Sequence, residues 1–191
     1  VALTACLRPP AAAMTLAGLV LSLAAGLWAG DACAADPLVS ELEQRLARSG
    51  IEPVNVYLNS HWTAAMVPLN QKTAACELHA VSLSVKLSRS SNARAVRAHG
   101  EALRAAVGSC PKFVLAMVQQ AEVPRYCASV ASWGAAQTAR ELRRRIGAID
   151  ADELLRGSRR GQACRAAYVY ELENTRVVVK RAPPNARPAG K

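Results

Sequence analysis

Three histidines are the only side chains of this sequence whose ordinary pKa lies near neutrality. His79 follows Glu77 by two residues, and His99 precedes Glu101 by two. On a helix, residues two apart diverge by about 200°, so neither pair could hold one metal ion there. On a strand the first pair would share a face, which weakens that exclusion. His61 precedes Trp62 in a predicted loop, where a part-exposed histidine beside an anchoring tryptophan needs no ligand to explain it.

Short catalytic and cofactor-binding motifs are absent from the sequence. It contains no G-x-S-x-G, G-x-x-x-x-G-K-[ST], G-x-G-x-x-G, H-E-x-x-H or EF-hand pattern. A nucleophile and its base must be close in space, which a sequence does not display. We therefore expect a protein that is not an enzyme and needs no cofactor or metal, with a hydrolase assembled from scattered residues as the alternative.

Four cysteines, Cys76, Cys110, Cys127 and Cys164, divide the centre of the chain at spacings of 34, 17 and 37 residues. Zinc ligands usually come as closely spaced C-x2-4-C pairs, and no such pair is present. In an exported chain an even number of cysteines predicts disulfides. If the segments before and after residue 91 pack antiparallel, Cys110 returns to Cys76. We therefore favour Cys76–Cys110 and, by proximity, Cys127–Cys164.

The N-terminal segment predicts export. Residues 14–28 form an uncharged apolar run of 15 residues, shorter than the roughly 20 residues that a membrane span needs. Arg8 precedes the run, and the Ala-Cys-Ala of residues 32–34 follows it as a small-x-small cleavage site. Lipidation of Cys33 and an uncleaved anchor are alternatives. We expect residues 1–34 to be a signal peptide and the protein to be periplasmic or secreted.

Composition favours one mainly α domain. The 191 residues are 51% hydrophobic, much of it alanine, and only 4% aromatic. A core of alanine and leucine suits close-packed helices better than a β-sandwich. Without the leader about 157 residues remain, enough to bury a core. We predict a small disulfide-stabilised helical bundle over residues 35–182 and a disordered, proline-rich basic tail at 183–191.

Helical periodicity is clearest in five stretches. The predicted helices cover residues 37–49, which end at Gly50, then 69–87, 93–107, a short piece after Pro111, and 125–149. In the second stretch two apolar stripes recur at steps of three and four, so a helix there would be buried on two sides. Asp150 is predicted to cap a short turn that follows the last of them.

Alternating or β-branched runs keep a second fold class open. Residues 54–58 and 81–87 alternate like strands, and residues 165–180 can form a hairpin that turns at Glu173-Asn174. The alternative is therefore an α+β fold with a C-terminal β-hairpin.

Positive charge is concentrated near the C-terminus. The chain has a net charge of +10, and residues 140–191 carry thirteen basic and six acidic side chains. Guanidinium forks suit carboxylates and phosphates. The candidate surface for an anionic partner consists of Arg140, Arg143, Arg144, Arg145, Arg159 and Arg160, with Arg156 beside them. A structural explanation is also available, because cations are favourable at a helix C-terminus, where the predicted helix places the first four.

Together these features predict an exported periplasmic binding or interaction protein of the inhibitor, immunity or secretion-accessory type. Its partner would be another envelope or secreted protein. The second hypothesis is a basic envelope-surface binder that recognises anionic lipid or lipopolysaccharide. Nucleic acid is not expected as a partner, because the protein is predicted to be exported and its basic residues are not interleaved with aromatic side chains.

Overall fold

The computed structural model describes residues 36–128 and 134–181, with the backbone alone for 176–181. Over these ranges the chain forms ten α-helices, one π-helical turn and one 3₁₀ turn, and no strand. The predicted helical bundle is confirmed and the α+β alternative is wrong, because residues 54–58, 81–87 and 165–180 all lie in helices. The predicted signal peptide (1–34) and tail (183–191) lie outside the described residues.

The elements follow one another with short connections. In chain order they are α1 (Pro37–Ser49), α2 (Ile51–Ser60), the π-turn (Trp62–Met66), α3 (Val67–Ala74), α4 (Leu78–Leu87), α5 (Ala93–Ser109), α6 (Pro111–Met117), the 3₁₀ turn (Gln120–Glu122), α7 (Val123–Cys127), α8 (Ala135–Ala151), α9 (Glu153–Gly157) and α10 (Arg159–Arg181). None of these described helices is both long enough and apolar enough to cross a membrane.

Short polar side chains begin three of the helices. Asp36 Oδ1 accepts a hydrogen bond from Leu38 N at 3.0 Å at the start of α1. Asn92 caps α5, and Asp152 caps α9, in the same way. Such caps satisfy main-chain N–H groups that the first turn of a helix leaves unpaired. Asp150 was predicted to cap this last turn and does not, because α8 continues to residue 151 and contains it.

The described residues pack into two apolar cores, and α4 contributes to both. The N-terminal core is formed by α1 to α5 with the π-turn, and the C-terminal core by α4 to α10. Val81 and Val85 face the C-terminal core, whereas Leu83 and Leu87 face the N-terminal core. Residues two apart point to opposite sides of a helix. The alternation over 81–87 that resembled a strand is therefore the pattern of a helix buried on both sides.

The helix predicted over 69–87 is interrupted at Cys76, which adopts a left-handed conformation with φ of +68°. Cys76 N donates to Thr73 O at 3.0 Å and Glu77 N donates to Lys72 O at 3.1 Å. This pair of bonds is a Schellman motif, whose left-handed position is usually glycine. Because a cysteine occupies it here, the residue type gave no signal that α3 ends.

Both disulfides have the predicted connectivity. Cys76 pairs with Cys110 across a Cα–Cα distance of 6.3 Å, and Cys127 pairs with Cys164 across 5.2 Å. The first joins the α3–α4 connection to the end of α5, and the second joins α7 to α10. Each such bridge is worth about 2–4 kcal/mol, mainly through restriction of the unfolded chain.

Candidate binding site

The π-turn is the most unusual backbone element of the described chain. His61 ends α2, and the main chain then widens so that Met66 N donates to His61 O at 3.4 Å, five residues back. Ala65 and Met66 are buried in the N-terminal core, while Trp62 lies half-buried at its edge. π-Helical turns are rare and occur frequently at functional sites. This turn places one of the three tryptophans of the chain at the surface.

Trp62 carries an arginine on its ring face. The guanidinium carbon of Arg94, in the first turn of α5, lies 4.2 Å from the ring centroid. A guanidinium over a ring gives up none of its N–H donors to that contact. Arg97 follows one turn along α5, and both arginines are exposed. Among the described residues, neither lies within ion-pair distance of a carboxylate.

The two arginines border an open groove of about 360 Å³, hereafter the Trp62 groove. Its lining residues are Trp62, Ala93, Arg94, Arg97, Ala98 and Glu101. The volume is at the lower end of the range for small-ligand sites. Two cations, one aromatic ring and a single carboxylate border the groove, so its chemistry suits an anionic group with an apolar neighbour.

A second stacked group lies on α1 and the end of α2, which precede the π-turn. Arg45 lies 4.1 Å from the Tyr57 ring centroid, and the His61 ring stacks on Tyr57 at 4.2 Å. Arg45 also forms an ion pair with Glu41 at 2.7 Å. The charge of Arg45 is therefore already partnered, unlike that of Arg94. His61 Nδ1 lies 3.0 Å from Tyr57 O, which fixes the ring against its own helix.

A buried polar pair joins α5, which carries Arg94 and Arg97, to its neighbouring helices. The Nε2 atom of His99 lies 3.0 Å from Asn55 Oδ1, and Asn55 Nδ2 donates to Leu87 O at 2.9 Å. Because Asn55 uses its amide hydrogens on Leu87, its oxygen faces His99, so His99 Nε2 carries the proton. Burial lowers the pKa of His99 to about 4, so the ring is neutral at pH 7. This pair ties α5 to α2 and α4.

The predicted arginine surface is not one surface. Glu141 accepts hydrogen bonds from Arg144 at 2.6 Å and from Arg145 at 2.8 Å. Arg144 also donates to Gly108 O at 3.0 Å, and Arg145 donates to Arg104 O at 2.9 Å. The hydrogen bond from Arg144, followed by that from Arg145, lowers the pKa of Glu141 to about 2. These two arginines join α8 to α5, and their explanation as C-terminal helix charges is wrong because α8 extends to residue 151.

The remaining members of the group separate into two places. Arg160 donates to Leu115 O and Ala116 O, near the end of α6. Arg140, Arg143 and Arg159 are exposed and have no charged partner among the described residues.

The geometry of α8 and α10 keeps Arg140 and Arg143 apart from Arg159. Asp150 and Arg165 are paired at 2.7 Å, which sets the start of α10 beside the end of α8. Arg140 lies ten residues before Asp150, about 15 Å along α8. Arg156, at the end of α9, donates to Asp150 O.

His79, the third histidine, contacts a different carboxylate from the one that lies near it in the sequence. His79 Nδ1 lies 3.4 Å from Glu43 Oε1 on α1, rather than near Glu77. Within the part of the chain that the structure describes, no group of three or more His, Cys, Asp and Glu side chains is arranged to hold a metal ion.

Comparisons with protein families, with curated proteins and with solved structures found no match for the chain.

Proposed function

We propose that this chain is an exported protein that acts by binding another envelope or secreted protein, with the Trp62 groove as its recognition site. The observation that carries the proposal is the Arg94 guanidinium held 4.2 Å from the Trp62 ring centroid, with all its N–H donors unused by the described residues. An arginine positioned in this way loses little side-chain entropy when it binds a carboxylate.

Residue chemistry favours a protein partner at this groove. Tryptophan and arginine are the side chains most enriched among residues that dominate the affinity of protein interfaces. An aspartate or glutamate of the partner would bind between Arg94 and Arg97, and an apolar neighbour would pack on Trp62. Ala93 and Ala98 leave room for that neighbour, because they project little beyond the helix backbone.

The proposal also includes export of the protein and a role in binding without catalysis. Two disulfides support an oxidising compartment, in agreement with the leader pattern of residues 1–34. The three imidazoles contact a main-chain carbonyl, a carboxylate and a buried amide, respectively. The contacts of His61 and His99 account for the orientation of those two rings without a catalytic role.

Affinity capture from a native envelope extract tests the proposal with two matched variants. R94A/R97A removes both arginines of the groove. R140A/R143A removes the same charge from an exposed part of α8 whose arginines also have no partner among the described residues. We expect the wild type and R140A/R143A to retain the same protein through a high-salt wash and R94A/R97A to lose it. Equal retention by all three would contradict the proposed site.

A second candidate function is electrostatic binding to the envelope surface. It is favoured by the exposure of Arg140, Arg143 and Arg159 without partners among the described residues. Co-sedimentation with phosphatidylglycerol vesicles that is lost in R140A/R143A, kept in R94A/R97A and abolished by salt would support it, because interactions between exposed charges are screened. The two functions thus predict opposite results for the same pair of variants.

A further inference from the structure

One face of α10 exposes a stripe of three apolar and three polar side chains. Tyr170 is 65% exposed, in a chain that has eight aromatic residues in all. Ala166 and Val169 lie beside it on the same face, along an open groove of about 430 Å³. This stripe is separate from the Trp62 groove, which is formed by the π-turn and α5. The residues that line it are Gln162, Arg165, Ala166, Val169, Tyr170 and Glu173.

These six positions are symmetric about the midpoint between Ala166 and Val169. If a second copy of α10 lies antiparallel with a two-fold axis at that midpoint, each position faces its symmetry mate. The facing pairs are then Ala166 with Val169, Arg165 with Tyr170, and Gln162 with Glu173. Any stripe with this helical spacing has such symmetry, but the three pairs are also chemically complementary.

The complementarity differs in kind from pair to pair. Ala166 is small where Val169 is branched, so the two helices can approach closely. Arg165 can lie over the Tyr170 ring, and the Gln162 amide can donate to the Glu173 carboxylate. A two-fold axis makes every pair occur twice. Arg165 is already oriented by its 2.7 Å bond to Asp150, which lowers the entropic cost of its contact with a second chain.

We propose that this chain forms a homodimer through an antiparallel, two-fold contact between the exposed faces of α10. The lining residues span twelve positions of the helix, about 18 Å. A single pair of helices of that length buries a small interface. The dimer is therefore weak and reversible, and its population depends on protein concentration.

Sedimentation velocity of the chain as recovered after export, from about 10 µM to about 500 µM, measures this association in the range expected for a small interface. The test variant is Y170R, which places a second cation opposite Arg165 of the other chain. The control is L154R, which makes the same kind of change at a side chain that is 67% exposed on α9. We expect the wild type and L154R to dimerise with rising concentration and Y170R to stay monomeric with unchanged circular dichroism. A wild type that stays monomeric throughout, or equal weakening by both variants, would overturn the proposal.

Cysteine cross-linking tests the register. Because residue 166 faces residue 169 of the other chain, A166C mixed with V169C is expected to form a mixed disulfide dimer faster than either variant forms a dimer alone. Non-reducing peptide mapping checks that Cys76–Cys110 and Cys127–Cys164 remain intact. Faster linkage within either single variant would overturn the register, and no linkage in any sample would overturn the contact.

Discussion

Replacing His99 by glutamine should make the folded protein less sensitive to acid. His99 is fully buried, and its Nε2–H donates to Asn55. Glutamine has an amide nitrogen that can donate the same hydrogen bond, but it does not titrate. The substitution therefore removes the ionisation of the ring while it keeps the link between α5 and α2.

The magnitude follows from the two pKa values of His99. Burial lowers the pKa from 6.5 to about 4 in the folded chain. Because the folded value is the lower one, the unfolded chain takes up the proton first as the pH falls. The stabilisation that comes from keeping His99 neutral in the folded chain is fully present above pH 6.5. It is lost as the pH falls from 6.5 to about 4. At about 1.4 kcal/mol per pH unit the loss approaches 3 kcal/mol, or roughly 6–12 °C in Tm.

Thermal and urea unfolding, followed by circular dichroism from about pH 7 to pH 4.5, measures this loss. The pKa of Glu141 is lowered from 4.5 to about 2, so protonation of that carboxylate weakens the fold mainly at lower pH. H79Q is the control, because His79 is an exposed histidine. We expect the wild type and H79Q to lose stability over this range and H99Q to lose markedly less. Parallel loss in all three proteins would refute the assignment to His99.

Three further tests, with five variants in all, address the backbone and the contacts between helices. Without the first disulfide, C76G/C110A should be about 1 kcal/mol more stable to urea than C76A/C110A, because Cys76 is left-handed, a conformation that suits glycine. A Cβ at Gly161 would overlap a main-chain carbonyl of α9, so G161A should lower the free energy of unfolding by about 3 kcal/mol. A Cβ at Gly147 would lie in open space on α8, so the control G147A should raise the free energy of unfolding by about 0.5–1 kcal/mol. R145M should cost about 2 kcal/mol in unfolding experiments, since its charge-assisted hydrogen bonds are lost.

Much of the fold could be predicted from local periodicity. Leu38, Leu42 and Leu46 indicated α1 correctly, and Val39 and Leu42 are buried there. The two stripes of α4 predicted burial on two sides, which the two cores confirm. The break at Cys76 could not be predicted, because the periodic apolar spacing continues through it.

Local sequence patterns could not predict the candidate site, because its contacts join distant parts of the chain. Trp62 and Arg94 are 32 residues apart, and Asn55 and His99 are 44 apart. No short stretch of the sequence contains both members of either pair. The only local signal was the adjacent His61 and Trp62, which a part-exposed histidine beside an anchoring tryptophan explained as well. The π-turn itself leaves no residue pattern that distinguishes it from an α-helix.

A dense run of arginines in the sequence does not show which of them keep free donors, and the reason is geometric. Arg144 and Arg145 belong to the densest run, yet both reach main-chain carbonyls of α5, and the Arg145 side chain is only 10% exposed. An arginine at a helix–helix crossing can bury its stem and satisfy backbone acceptors, so its charge is not available to a partner. Arg94 and Arg97 are spaced apart on an exposed helix face and keep their donors. Unused N–H donors therefore rank Arg144 and Arg145 below Arg94 and Arg97, but they do not separate Arg94 and Arg97 from the exposed Arg140, Arg143 and Arg159. The Trp62 ring that contacts Arg94 makes this difference, which is why we rank the Trp62 groove first.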